Sequence, residues 1–386
     1  MTRRRTILQY GTGAIASGIA GLTGLNPLLG RSDPSDDRRS PSESPTETPA
    51  PTTTTETPEP TPVRWETRTG DLSVGPVGTE RGVLVGRYRK LTLLDGETGD
   101  AAWSYETDDE LRDSLAVADG TVFGTSEAGD AFAVGLDSGD ERWETELDVT
   151  YPRDVAVRNG SAFVGGYAVY RLAVGDGAVQ QHWSLGGDGL SGSMALDSER
   201  AYLPRSNAPL TAVSIRTGKT AWQFETSDTY SGPEMTSAAT ANGRVFAGSR
   251  NGTVYALDTA TGEKQWEANV GNRATVYGVA GDHLLVESYD MSREESALFS
   301  LAPASGARNW RLERDEHVLG APVVDGDTVF VTDDTGTVYR LAIADATEEQ
   351  SHRVGSGGVG LALGSDRLYC LDDGVVYALT KSLTPA

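Results

Sequence analysis

The stretch Val254-Tyr255-Ala256-Leu257-Asp258-Thr259-Ala260-Thr261-Gly262-Glu263-Lys264-Gln265-Trp266 decides the fold. It reads as an alternating apolar strand, a tight Thr-Gly turn, and a tryptophan on the strand that follows. The pattern [TS]-G-x-x-x-W recurs at Thr98-Gly99 before Trp103, Ser138-Gly139 before Trp143, Thr217-Gly218 before Trp222 and Ser305-Gly306 before Trp310. The seven tryptophans, Trp65, Trp103, Trp143, Trp183, Trp222, Trp266 and Trp310, are spaced about 40 residues apart. Trp183 follows Gly177 with two extra residues, and an eighth copy near His352 has lost its tryptophan.

Upstream of each copy the strands repeat. Val254–Leu257 has counterparts at Leu91–Asp95, Ala131–Val134, Val169–Leu172, Leu210–Val213, Leu298–Leu301, Val338–Leu341 and Val376–Leu379. A second apolar strand precedes each by about ten residues, as in Val122-Phe123-Gly124 and Val245-Phe246-Ala247-Gly248. Arg250-Asn251-Gly252, Asp334-Thr335-Gly336 and Asp373-Gly374 join the two, and such pairs supply the positive φ of hairpin turns. A third strand lies further upstream, typified by Val323-Val324-Asp325, and the tryptophan sits on a fourth. No helical period interrupts. A four-stranded meander cannot bury both faces alone, and units of this length do so by radial stacking. The expectation is an all-β, eight-bladed β-propeller of four-stranded antiparallel blades over residues 63–386. Trp65 precedes the first full set of strands and the last set lacks a tryptophan strand. The strand around Trp65 should therefore pair beside the C-terminal strands and close the ring.

The unit resembles the quinoprotein (PQQ-type) propeller repeat with its tryptophan-docking motif. The resemblance implies that each tryptophan packs between neighbouring blades. Eight-bladed members divide into quinone-dependent dehydrogenases and non-catalytic propellers such as the outer-membrane barrel-assembly subunit. The dehydrogenases resemble one another in a pair of adjacent bridged cysteines over the cofactor. Here Cys370 is the one cysteine, and it is expected buried on a second strand. Their catalytic and calcium carboxylates lie in long insertions, whereas these repeats are short and regular. There is no C-x-x-C-H haem motif. The reading is a protein-binding or scaffolding module without catalysis and with no cofactor; a quinone-dependent (PQQ) oxidoreductase of alcohols or sugars is the alternative.

Composition narrows the partners. Thirty-three Lys+Arg stand against 56 Asp+Glu, a net charge of −23, which argues against nucleic acid. One cysteine excludes an internal disulfide, and four scattered histidines form no metal-ligand pattern. Lysine is confined to Lys90, Lys219, Lys264 and Lys381. An acid-rich, lysine-poor chain resembles proteins of salt-loving, haloarchaeal-like microbes, whose dense surface charge is screened by concentrated salt.

Residues 1–30 are read as an export signal or N-terminal anchor. Arg4-Arg5 followed by Ile7-Leu8 and a weakly apolar Gly/Ala-rich run resembles a twin-arginine (Tat) signal. Residues 31–62 form a Thr/Pro/Ser/Glu-rich stalk that cannot bury a core. The expected location is extracellular or at the cell surface. The expected partner is an envelope or cell-surface protein, with membrane contact only through an uncleaved N-terminal segment. Aromatic and arginine residues at Tyr151, Arg153, Tyr230 and Tyr289 are the candidate partner-binding loops, with core packing as the alternative for each. Gly355-Ser356-Gly357-Gly358-Val359-Gly360 matches a dinucleotide fingerprint by letter, but no helix follows, and backbone crowding is the preferred reading. Asp325, Asp327, Asp333 and Asp334 are read as solvated turns rather than calcium ligands, and Asn159 and Asn251 as turn residues within sequons.

Overall fold

The structure is a computed structural model that describes residues 61–384, apart from 71, 73, 113, 150, 188, 227–234, 315–318 and 358–359. The segment read as an export signal, with Arg4 and Arg5, the residues up to 60 read as a stalk, and Tyr230 lie outside the described residues.

Every regular element described is a strand. The described strands form eight four-stranded antiparallel sheets. Blades 1 to 7 cover residues 74–106, 116–145, 154–184, 195–224, 235–269, 273–313 and 323–353, each four consecutive strands in chain order. Neighbouring blades meet through their first strands, so the first strand of each lies towards the axis and the fourth lies outside. The second and third strands read as near-continuous apolar runs because neighbouring blades cover both of their faces. Thr121–Thr125 and Ala131–Gly135, for example, are buried at every position. The fourth strands alternate, as in Lys264–Asn269, because their outer side faces water. Eight apolar clusters result, each joining two adjacent blades. Val74, Leu84, Leu93 and Trp103 of blade 1, for instance, pack on Val122, Phe132 and Val134 of blade 2.

Blade 8 is built from both ends of the described chain. Strands β30 (Gly360–Leu363), β31 (Arg367–Asp372) and β32 (Val375–Thr380) supply three strands, and β1 (Val63–Arg68) supplies the outermost. Trp65 pairs with Ala378 and Arg68 with Val375. The expected closure of the ring is therefore met. Cys370 is fully buried in β31, as its sequence position implied, and burial pushes its thiol up, away from reactivity.

The connections fall on two sides. First-to-second and third-to-fourth strand turns share one face, which we call the short-turn face. The chain enters blade 8 there, where the Thr380 amide donates to Pro62 O at 3.0 Å. Second-to-third hairpins and the inter-blade connections share the opposite face.

Candidate functional site

Six indoles stitch six seams in the same way. Each donates its Nε1–H to the backbone carbonyl just past the third strand of the next blade: Trp65 to Gly96, Trp103 to Leu136, Trp143 to Val174, Trp222 to Thr259, Trp266 to Pro303 and Trp310 to Ile343, at 2.7 to 3.0 Å. Five of the six rings lie on the turn glycine of that blade, Gly99, Gly139, Gly177, Gly262 or Gly306, and in blade 7 the turn position past Ile343 is Ala346. A Cβ on Gly139 would sit 2.6 Å from Trp103, and one on Gly262 2.6 Å from Trp222, so the close approach requires glycine there. Both glycines also have φ near +70°, which disfavours any side chain.

Trp183 departs from this expectation. In blade 3 the docking register is held by Gln181, four residues after Gly177, opposite Arg171. Gln181, not Trp183, lies against the turn glycine Gly218 of blade 4. Trp183 sits two residues further along, half-buried against the seam cluster of Phe163, Leu190 and Met194. Its Nε1 has no partner among the described residues. Blade 7 repeats the substitution, with Gln350 opposite Arg340. Where tryptophan docks, the opposite residue is Leu93, Ala133, Ala212, Ala256, Ser300 or Ala378. Where glutamine docks, it is arginine. Arg171 donates from Nη1 to Ile215 O at 3.2 Å and from Nε to Ser161 Oγ at 2.9 Å. Ile215 O is the carbonyl that an indole would otherwise have taken.

The face opposite the short turns carries the exposed aromatics. Tyr151, in the connection entering blade 3, is 55% exposed, and its ring lies 6.1 Å from that of Tyr167 on the blade 3 hairpin. The Arg112 guanidinium, from the connection entering blade 2, stands 5.9 Å from the Tyr151 ring and pairs with Glu127 at 2.7 Å. Tyr88, at the blade 1 hairpin, is also exposed, and its carbonyl accepts the Leu111 amide. A run Tyr88–Arg112–Tyr151–Tyr167 thus crosses blades 1 to 3, with Arg153 exposed beside it. Met291, on the blade 6 hairpin, is exposed on the same face. Tyr289 does not join the run. It is half-buried in a strand of blade 6 (His283–Asp290), paired with Arg273 and Ser296. Sequence reading missed Tyr88 and Tyr167, because an aromatic at a hairpin tip looks like a core aromatic one residue out of phase.

Beneath this face Asp154 ties three blades together. It opens the first strand of blade 3 (Asp154–Arg158) and is buried. It accepts the Met194 amide at 2.7 Å, from the approach to blade 4, and the Ser114 hydroxyl at 3.2 Å, from the approach to blade 2. Ser114 Oγ in turn accepts the Val155 amide. Burial pushes the Asp154 carboxyl up to about 6, against the lowering effect of these donors. A carboxyl raised above its unfolded value of about 3.9 stabilises the fold below that value and loses the contribution as pH rises through about 6. Relative to Asp154→Asn, the wild type should therefore lose up to about 3 kcal/mol of unfolding free energy between pH 4 and 7. Denaturant titrations at each pH read this as a difference in slope. Parallel curves for the two proteins would contradict it.

The glycine-rich loop has a local cause. The Ser356 and Gly357 amides donate to the buried Asp372 carboxylate at 2.7 and 3.1 Å. A Cβ on Gly355 would overlap that carboxylate, so the chain closes over it only with glycine. Gly355, Ser356 and Gly357 thus form a loop over Asp372 rather than part of the innermost strand. At the blade 7 hairpin, Asp333 spends one oxygen on Thr335 and Thr337 and the other on the Tyr339 hydroxyl. Asp325 pairs with Lys381 at 2.9 Å. The quinone chemistry of related folds asks for a vicinal cysteine pair and carboxylates convergent on calcium. The lone cysteine lies buried in β31, and among the described residues no three acidic, histidine or cysteine side chains converge. The residues present do not fit that group.

These features define the class: an eight-bladed propeller of PQQ-like repeats, closed by its N-terminal strand. A family model described as outer membrane protein assembly factor BamB matches residues 89–288 and 250–384, and the chain belongs to that family. The BamB of Yersinia pestis is 28% identical over 186 residues, 44% of this chain and 46% of that protein. The Escherichia coli K12 protein is 25% identical over 193 residues, 47% of each. The matches thus span about half the length of these curated relatives. Among solved structures, BamB from Moraxella catarrhalis superposes with a TM-score of 0.65 at 17% identity, covering 82% of this chain and 99% of that one. Quinohemoprotein alcohol dehydrogenase from Comamonas testosteroni gives 0.63 at 13%, covering 84% and 77%. Likeness at these identities shows the fold alone, and it extends to an assembly factor and an alcohol dehydrogenase alike.

Proposed function

We propose that this protein is an exported envelope or cell-surface scaffold that holds a partner protein on the face carrying Tyr88, Tyr151 and Tyr167, without catalysis. The observation that carries the reading is the distribution of exposed large apolar side chains. Four of the five among the described residues, Tyr88, Tyr151, Tyr167 and Met291, lie on one face, opposite the point where the chain enters the disc at Pro62. Exposed tyrosines flanked by arginine are the side chains that interfaces favour. A partner would meet them on the side away from Pro62, with Arg153 at the rim. Membership of the BamB family supports a role in assembly rather than turnover. The twin-arginine export route and a salt-rich exterior complete the proposal, drawn from Arg4-Arg5 and the acid excess.

The test is capture of envelope proteins on the full chain in molar salt. Tyr151→Ala combined with Tyr167→Ala should abolish retention of the partner and leave the melting temperature within about 2 °C, since both side chains are largely exposed. Val179→Ala, on the outer rim of blade 3, should retain it. Retention unaffected by the tyrosine pair would move the interface elsewhere and overturn the assignment of this face.

A further inference from the structure

The seam between blades 3 and 4 is one of the two that lack a docked indole, and on the short-turn face it opens into a cleft of about 570 Å³. Four arginines line it. Arg158 comes from the first hairpin of blade 3, Arg171 from its third strand, and Arg200 and Arg216 from the corresponding turns of blade 4. The local charge is opposite to that of the protein, which carries 56 acidic against 33 basic residues. It is also largely uncompensated. Arg200 pairs with Glu199 at 3.0 Å. Arg171 has only neutral partners, Ser161 Oγ and Ile215 O. Among the described residues, Arg158, Arg171 and Arg216 form no ion pair. The related seam between blades 7 and 8 shows what a purely structural arginine looks like, for there Arg340 is matched by Glu349. At the corresponding place beside Arg171 stands the neutral Gln180, whose amide oxygen faces Ser161.

We propose that this cleft is a binding site for a multiply charged oxyanion, a phosphate or phosphate ester. Guanidinium groups present planar, paired donors that match the oxygens of such a group, and they remain charged at every accessible pH. Hydrogen bonds of this kind persist when salt screens longer-range attraction. Arg171, already fixed by its two bonds, forms the floor. The side chains of Arg158 and Arg216, exposed and making no hydrogen bond among the described residues, are free to close on the ligand. The site lies on the face opposite the tyrosine run, so it is independent of the partner proposed above.

The full chain is titrated by calorimetry with inorganic phosphate and with glucose 6-phosphate at fixed sodium chloride, and sedimented with vesicles containing phosphatidic acid. One anion per chain is expected, with a raised melting temperature in phosphate. Arg158→Gln combined with Arg216→Gln should weaken binding by about tenfold or more. Arg64→Gln combined with Arg311→Gln, the same charge change elsewhere, should leave it unchanged. Neither Arg158 nor Arg216 holds the fold, so loss of binding in a folded variant reports the cleft. Vesicle retention that disappears in the cleft variant identifies a lipid headgroup as the source. Binding of the soluble phosphates without vesicle retention identifies a soluble ester. No heat beyond dilution with any probe, or equal affinity in the cleft and control variants, overturns the proposal.

Discussion

Deletion of residues 63–70 is expected to open the ring and remove much of the protein's stability. The deletion takes away the outermost strand of blade 8, with its ladder to Val375–Leu379. It removes the Trp65 bond to Gly96 and the Thr67 hydroxyl bond to Gly99 O at 2.8 Å, both of which cross to blade 1. It also exposes the apolar cluster of Val83, Val85, Leu94, Tyr369 and Val376 at the closing seam. Losing a packed tryptophan alone costs about 3–5 kcal/mol, and whole domains are stable by only about 5–15 kcal/mol. The melting temperature should fall by about 10 °C or more. A peptide spanning residues 61–70, added in trans, should restore part of the loss. A deletion variant that melts with the wild type would show that the ring is held shut by something other than β1.

The second large effect concerns the seams. Trp103→Ala should cost about 3–5 kcal/mol, since the ring is buried against Gly139 and its Nε1–H bond to Leu136 O is lost. Gln181→Ala should cost about 1 kcal/mol, because Arg171 keeps the inter-blade bond to Ile215 O. Trp183→Ala should fall between the two. It removes a half-buried ring but no inter-blade hydrogen bond. Chemical denaturation of the three variants orders them directly. Equal costs for Trp103→Ala and Gln181→Ala would mean that the indoles carry no special share of the seam energy.

The architecture was legible because it rests on a period and on turn chemistry, and both are local. Gly-x3-Trp marks the third turn and fourth strand, Asn-Gly and Asp-Gly mark the hairpins, and the orphan strand at Trp65 announces the closure. Trp183 misled because the tryptophan period tolerates an error of two residues, whereas the docking register does not. The corrective signal was in plain view. Gly177 is followed four residues later by Gln181, and the strand before it reads Val169-Tyr170-Arg171-Leu172 where the docking blades have a small or apolar residue. Val338-Tyr339-Arg340-Leu341 repeats the signal before Gln350. Side-chain exposure was much less legible. A strand shows which residues share a face but not how a bulge or hairpin tip turns them, so the sequence alone does not separate Tyr289, in a strand, from Tyr88 and Tyr167, at hairpin tips. Asp154 could not be recognised as a three-blade tie, because its partners Ser114 and Met194 lie about 40 residues away on either side.

The proposed scaffold role makes this propeller a holder of partners rather than a quinone enzyme. Its direct test is titration of the purified full chain with pyrroloquinoline quinone in the presence of calcium, followed by an assay of dye reduction with alcohols and sugars. The expected result is no saturable uptake of quinone and no substrate-dependent reduction. One quinone bound per chain, with alcohol- or sugar-dependent dye reduction, would contradict the account.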